Sequence, residues 1–229
     1  GKTVPVPQVP GELGELARAM EAMRQRVEGR EYVEAYVRAL THELKSPLAA
    51  LRGAGELLHD ELPAPDREAF AQTVLDQTGR LQHLVEHMLE LSKLEHQQGP
   101  LVTQAVPVAA FLERFSALAP VERAQKAIKL IVDADDSVVQ AAPDLLTLAL
   151  ANLVDNAQAF APAGSVVTLR ARNGVISVQD QGPGVPDYAL AKLGERFFST
   201  VRPDGTSKGS GLGLAIVRQI MALHGGRME

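Results

Sequence analysis

The run LTHELKSPL places His42 two residues after Leu40 and two before Leu44. Taking Val33, Leu40 and Pro47 as heptad position d and Val37, Leu44 and Leu51 as a puts His42 at f, the outermost position. A core histidine would occupy a or d, so this imidazole is expected to be exposed and sterically free to attack a phosphoryl group. Glu43 beside it can accept the ring proton while the other ring nitrogen becomes the nucleophile. Ser46, four residues on, shares the helix face and could position a water there. The alternative is an ordinary solvated histidine, and position and neighbours alone leave the two readings even.

Two amides stand four apart in PDLLTLALANLVDNAQAF, Asn152 and Asn156, with Asp155 beside them. Amide oxygens on one helix face suit a hydrated Mg²⁺ held through waters and triphosphate oxygens, because Mg²⁺ takes few protein ligands. Two surface amides would look the same. In DQGPGVP, Asp180 at a strand end could accept a hydrogen bond from an exocyclic amine such as adenine N6, with Gly182 and Gly184 letting backbone close around a ring. A plain Gly-Pro turn is the competing reading. GSGLGL then sets Gly209, Gly211 and Gly213 at the start of a helix, where free N–H groups and the helix dipole attract phosphate. It is neither a dinucleotide fingerprint nor a Walker A loop.

The elements that must carry these residues fall into two halves. VPVPQVPGEL is an extended lead-in, and ELGELARAMEAMRQRVEG a short amphipathic helix. A heptad helix follows from Val33 to Leu58, with Pro47 as its one break. LPAPD stops it, and a second heptad runs from Phe70 to Leu91. The two make an antiparallel hairpin whose leftover apolar residues, Leu57, Leu75, Val85, Leu89 and Leu94, are best buried by dimerisation into a four-helix bundle. QQGPLVTQAVP, 97–107, reads as a linker. Beyond it come a helix over about 107–125, strands at KAIKLIVD and VVQA, a helix opened by Pro143, two strands joined through Asn173-Gly174, and a last helix closed by Gly225-Gly226. This second half is an α/β sandwich.

Composition narrows the function classes. A net charge of -5 argues against a dedicated nucleic-acid binder, and the absence of cysteine removes thiolate metal sites and cysteine nucleophiles. No window approaches the roughly 18–20 apolar residues of a membrane-spanning helix. Gly1 looks like the start of an excised fragment. HLVEH, residues 83–87, has the spacing of an inverted zinc-protease motif, but it sits on a hairpin helix with no evident third ligand, and solvated edge histidines are the better reading.

The order of the motifs is more specific than any one of them: an exposed histidine on a hairpin, a linker, NxxxN on a helix, DxGxG after a strand, ERFF, and GxGLGL opening a helix. In this order the chain resembles the bacterial sensor histidine kinases of two-component signalling, nearly from end to end. Within that family, GREYVEAYVRALTHELKSPLAALRGA together with VPDYAL is most similar to the catabolite-control branch.

The resemblance implies a HAMP remnant and signalling helix over 1–30, a dimerisation and phosphotransfer hairpin over 31–97, a linker over 98–106, and an ATP-binding catalytic domain of the Bergerat (GHKL) type over 107–229. It implies His42 as phosphoacceptor and Glu43 as its acid/base partner. Asn156 becomes the Mg²⁺ ligand, Asn152 a polyphosphate contact, Asp180 the adenine reader, and Phe197 and Phe198 the F box. Asp187 to Ser210 would be the ATP lid, with Lys208 or Arg202 standing in for the basic N-box residue that Ala159 and Phe160 lack here. Asp155, Gly182, Gly184, Gly209, Gly211, Leu212 and Gly213 complete the expected nucleotide site. The implied partners are a second copy of the chain and a cognate response regulator, not nucleic acid. The implied location is the cytoplasmic side of an inner-membrane receptor, reached through an upstream span. Relatives continue with further strands beyond GGRME, so the catalytic domain is expected to be truncated, and Ser46, where relatives have Thr or Asn, leaves phosphatase activity open. The rival readings are a GHKL ATPase and a dimeric scaffold that binds nucleotide or regulator without transferring phosphate.

Overall fold

A computed structural model describes residues 12–59, 61–97, 99–118, 127–201 and 209–229, with side chains from residue 34 onward except that of residue 35. The lead-in 1–11 and the lid positions Arg202 and Lys208 lie outside the described residues. The chain divides into two compact units, Gly1–Gln77 and Thr78–Glu229.

The first unit is built from α1 (Glu12–Leu57) and the start of α2 (Ala64–Glu95). The helix runs on through Pro47, whose side chain is fully buried although it cannot donate to the carbonyl of Glu43 four residues earlier. Ala54 is buried too, whereas Val37, Leu48, Leu57 and Leu75 stay exposed. Pro63 lies just ahead of α2, and its carbonyl accepts the Arg67 N–H at 3.0 Å.

The second unit begins with the C-terminal turns of α2. Leu84, Leu91 and Leu94 are buried there, and Val85 and Leu89 are exposed. Leu94 is therefore not a leftover for a partner, as the heptad suggested, since the unit to which the end of α2 belongs already covers it. The presumed linker also ends early. Gln104–Pro107 form β1, paired antiparallel with β3 (Val138–Ala141) so that Val106 faces Val139.

Between these strands lie α3 (Val108–Ala117) and β2 (Lys129–Ala134); then come α4 (Pro143–Phe160), β4 (Val166–Arg172), β5 (Val175–Gln179), the short α5 (Asp187–Leu190) and α6 (Gly213–Leu223). β2 runs parallel to β4, and β4 antiparallel to β5. The β4–β5 connection is the two-residue turn Asn173-Gly174, with φ of +52° and +77°, the positive pair that a type I′ hairpin requires.

Alternation along β4 explains the layering. Val167, Leu169 and Ala171 are fully buried against helices, and Arg170 and Arg172 point outward. Val106, Val108, Phe111, Leu112, Leu146, Leu150, Val154 and Leu169 form one core between the sheets and α3 and α4. Ile128, Ala157, Ala161 and Val167 form a second. α4 also packs along α6, so one helix is committed to the sheet on one face and to α6 on another, and a third face is left for a site.

Candidate functional site

In the first unit, His42 has 87% of its side chain exposed, as the outer heptad position requires. Its Nδ1 lies 4.0 Å from Glu43 Oε1, whose own side chain is mostly covered. Nδ1 is thus the ring nitrogen turned to the carboxylate, and Nε2 is the one turned away from it. Ser46 is exposed on the next turn.

In the second unit, the free face of α4 carries Asn152, Asp155, Asn156 and Ala159 at helical spacing. All four line one open cleft, together with Asp180 and the glycines ahead of α6. The opposite stripe of α4, with Leu146, Leu150, Val154 and Ala157, is in the cores. Asn152 is only 7% exposed, and its Nδ2 donates to Leu148 O at 2.9 Å. That bond fixes the amide with Oδ1 toward α6, 2.8 Å from where a Cβ on Gly213 would sit.

Asp180 lines the cleft just after β5. Its Oδ1 accepts the Gly182 N–H at 2.7 Å. A Cβ at Gly182 would come within 2.7 Å of both that oxygen and the Phe160 carbonyl, so only glycine lets the turn close on α4. Gly184, with φ +76°, lines the cleft; Gly182 supports it from behind.

Gly209, Ser210, Gly211, Gly213 and Leu214 form the wall at the start of α6. Leu212, the N-cap, is buried and gives the helix no side-chain cap, so the N–H groups of the first turn stay available to an anion. Gly211, at φ +67°, accepts the Phe197 N–H at 3.0 Å, and a Cβ there would lie 2.5 Å from the Phe197 carbonyl carbon. Phe197, itself at φ +60°, is thereby a brace for the glycine turn and not part of the wall. Phe198 is the residue that lines the cleft, together with Ser199 and Thr200. Leu212 also serves from behind the wall.

One lining residue, His87, departs from the solvated edge histidine that the sequence suggests for HLVEH. His87, from α2, reaches the cleft, with Nδ1 3.5 Å from Ser210 Oγ. Burial lowers its pKa below the usual histidine range. His83 lowers it further, against the opposing pull of Asp155 and Glu86. The sequence offered only the HLVEH spacing as a signal. His83 and His87 do share a face, with ring centroids 5.8 Å apart, yet among the described residues no three His, Cys, Asp or Glu side chains gather as a metal cluster.

The residues fit a nucleoside triphosphate: an uncapped helix start behind a glycine turn for the phosphates, and in the same cleft a carboxylate held by the Gly182 N–H for a base amine. Asn156 is exposed at the cleft wall as a single amide oxygen for Mg²⁺, which would complete its shell with phosphate oxygens and waters.

Comparison with known proteins agrees with this geometry. Residues 33–97 match the His Kinase A (phospho-acceptor) domain, and residues 141–229 match the histidine kinase-, DNA gyrase B-, and HSP90-like ATPase. The chain is 45% identical to the sensor protein CreC of Escherichia coli K12 over 99% of its own length and 48% of that protein's. It is 35% identical to the sensory histidine kinase/phosphatase NtrB of Klebsiella oxytoca, over 84% of this chain and 57% of that one. The chain thus spans about half the length of the curated relatives it matches. Among solved structures, the Acinetobacter baumannii histidine kinase AdeS aligns with a TM-score of 0.61 at 26% identity, covering 80% of this chain and 86% of that chain. The histidine kinase ThkA, solved in complex with the response regulator protein TrrA, shares the fold with a TM-score of 0.68 at 21% identity, over 91% of this chain and 60% of its own. With an acceptor hairpin followed by this ATPase fold, the chain belongs to the sensor histidine kinases of two-component signalling.

Proposed function

We propose that this chain is the transmitter part of a sensor kinase: it uses Mg-ATP to phosphorylate His42 and passes the phosphoryl group to an aspartate of a response regulator. The observation that carries the reading is the side chain at position 152. GHKL enzymes that hydrolyse ATP carry there a glutamate that activates water. Here it is Asn152, its amide nitrogen spent on Leu148 O, and an amide cannot serve as general base. The cleft can bind and orient a triphosphate but has no group at that place to direct water onto it. A nucleophile from elsewhere, His42, is the natural acceptor.

Our reading of the step follows from the His42 geometry. Nε2 attacks the γ-phosphorus, the N–P bond forms, and the bond from phosphorus to the β,γ-bridging oxygen breaks, leaving ADP with the electron pair. The Nδ1 proton passes toward Glu43, which favours the imidazole as nucleophile. Asn156 would hold Mg²⁺, whose charge offsets that of the phosphates. The α6 N-terminus and the glycine turn orient the polyphosphate, and Asp180 selects the base. The described residues 97 and 99–103 lie in neither strand nor helix, which supports a hinge on which the catalytic domain moves.

Exposed Val37, Leu48, Leu57 and Leu75 on one unit, and Val85 and Leu89 on the other, support a homodimer closed as a four-helix bundle. Among the described residues no helix is long and apolar enough to cross a membrane. The family membership supports placement at the cytoplasmic face of an inner-membrane receptor, through a segment outside this chain.

The deciding experiment is incubation with Mg-ATP labelled at the γ-phosphate. Acid-labile label on the protein that disappears in His42→Gln is the expected result. Steady phosphate release without labelled protein would replace this reading with an ATPase, and ATP binding with neither label nor release would replace it with a scaffold.

A further inference from the structure

We propose that the last turns of α2 are a working wall of the nucleotide cleft, with His87 a positioning residue that holds Ser210 and, through it, the phosphate-binding start of α6. The inference rests on the cleft being a nucleotide site. Ser210 Oγ lies 3.4 Å from the Leu212 N–H and accepts it, which frees the hydroxyl hydrogen to be donated to His87 Nδ1 at 3.5 Å. An imidazole that burial keeps neutral can take that bond, and its ring proton then resides on Nε2 at a cleft wall shared with Asp155 and Asn156.

A second contact reaches the same turn by another route. Glu95, two helical turns beyond His87, pairs with Arg196, and about three quarters of each side chain is covered. Arg196 directly precedes Phe197, whose N–H is bonded to Gly211 O. One helix thus grips the glycine turn at two points about 12 Å apart along its axis: His87 through Ser210, and Glu95 through Arg196 and Phe197.

A glycine turn is costly to order, and a ligand that needs it ordered binds more weakly by that cost. Holding the turn from α2 transfers the ordering to the protein before the nucleotide arrives. By linkage, nucleotide in the cleft must in return favour the docked arrangement of α2.

The test is titration of the chain with the non-hydrolysable ATP analogue AMPPNP and Mg²⁺, with a thermal melt of every variant. His87→Ala is expected to raise Kd about 3- to 10-fold, the loss of one hydrogen bond. His87→Asn, whose amide oxygen can accept in place of Nδ1, should stay within about twofold of the parent, and Glu95→Gln should weaken binding in the same direction as His87→Ala. Parental affinity in His87→Ala, beside lost binding in Asp180→Asn, would overturn this inference and leave the nucleotide site standing. Equal loss in His87→Ala and His87→Asn would also overturn it. No binding by the parent, or undiminished binding by Asp180→Asn, would overturn the nucleotide reading and this inference with it.

Discussion

The amide oxygen of Asn152 lies 2.8 Å from the point where a Cβ on Gly213 would stand. Asn152 cannot readily yield, because its Nδ2 is bonded to Leu148 O inside α4. A methyl group at 213 must therefore displace the first turn of α6, the same turn whose N–H groups face the cleft. By helix propensity alone, alanine at this position would be favourable. Gly213→Ala is nonetheless expected to cost about 1–3 kcal/mol as an overpacked contact and to weaken AMPPNP binding at least about tenfold, or about 1.4 kcal/mol. Denaturation and titration check the two effects, and a stabilised variant with parental affinity would refute the account.

In the proposed mechanism Glu43 acts on the proton of His42 and not on the nucleotide. Glu43→Gln should lower the rate of His42 phosphorylation at saturating Mg-ATP by about 10²-fold or more, the usual contribution of a positioned acid or base. AMPPNP affinity should stay at the parental value. Equal loss of rate and affinity would assign Glu43 a structural role in α1.

Features set by local pattern were legible in the sequence. The heptad put His42 outside, Pro143 marked the first turn of α4, and Asn173-Gly174 announced a hairpin that closes with both residues at positive φ. Features set by distant partners were not. Gln104–Pro107 look like linker because their composition is polar and ends in proline, yet β3, more than thirty residues on, pairs with them. Proline is tolerated there because β1, in a two-stranded sheet, is an edge strand. Phe197 and Phe198 are adjacent and chemically identical, and only the close approach of Gly211 decides which of them braces and which lines the cleft. His87 belongs to the site because of where α2 ends, which no spacing within HLVEH encodes.

His224 ties together the two helices that frame the cleft. Its Nδ1–H donates to Ile220 O at 2.7 Å within α6, so Nε2 is free to accept the Ala142 N–H at 3.0 Å, at the start of α4. His224→Ala leaves that partly buried N–H without its acceptor and is expected to cost about 1–2 kcal/mol, read by urea denaturation. Stability equal to the parent would mean that water replaces the ring.

Asp133 on β2 faces Arg170 across the parallel β2–β4 register, and it also takes hydrogen bonds from Arg172. These bonds, Arg172's first and then Arg170's, hold its pKa below the usual aspartate range. A carboxyl whose folded pKa is depressed contributes stability that is fully present above its unfolded pKa of about 3.9 and is lost as pH falls through the folded value. Asp133→Asn should therefore unfold at lower urea than the parent near neutral pH, and the difference should shrink steadily below about pH 4. Because the group is exposed, added salt should also narrow the difference at neutral pH. A difference that persists unchanged into acid would show that the Asp133→Asn substitution destabilises through packing and not through the lost charge.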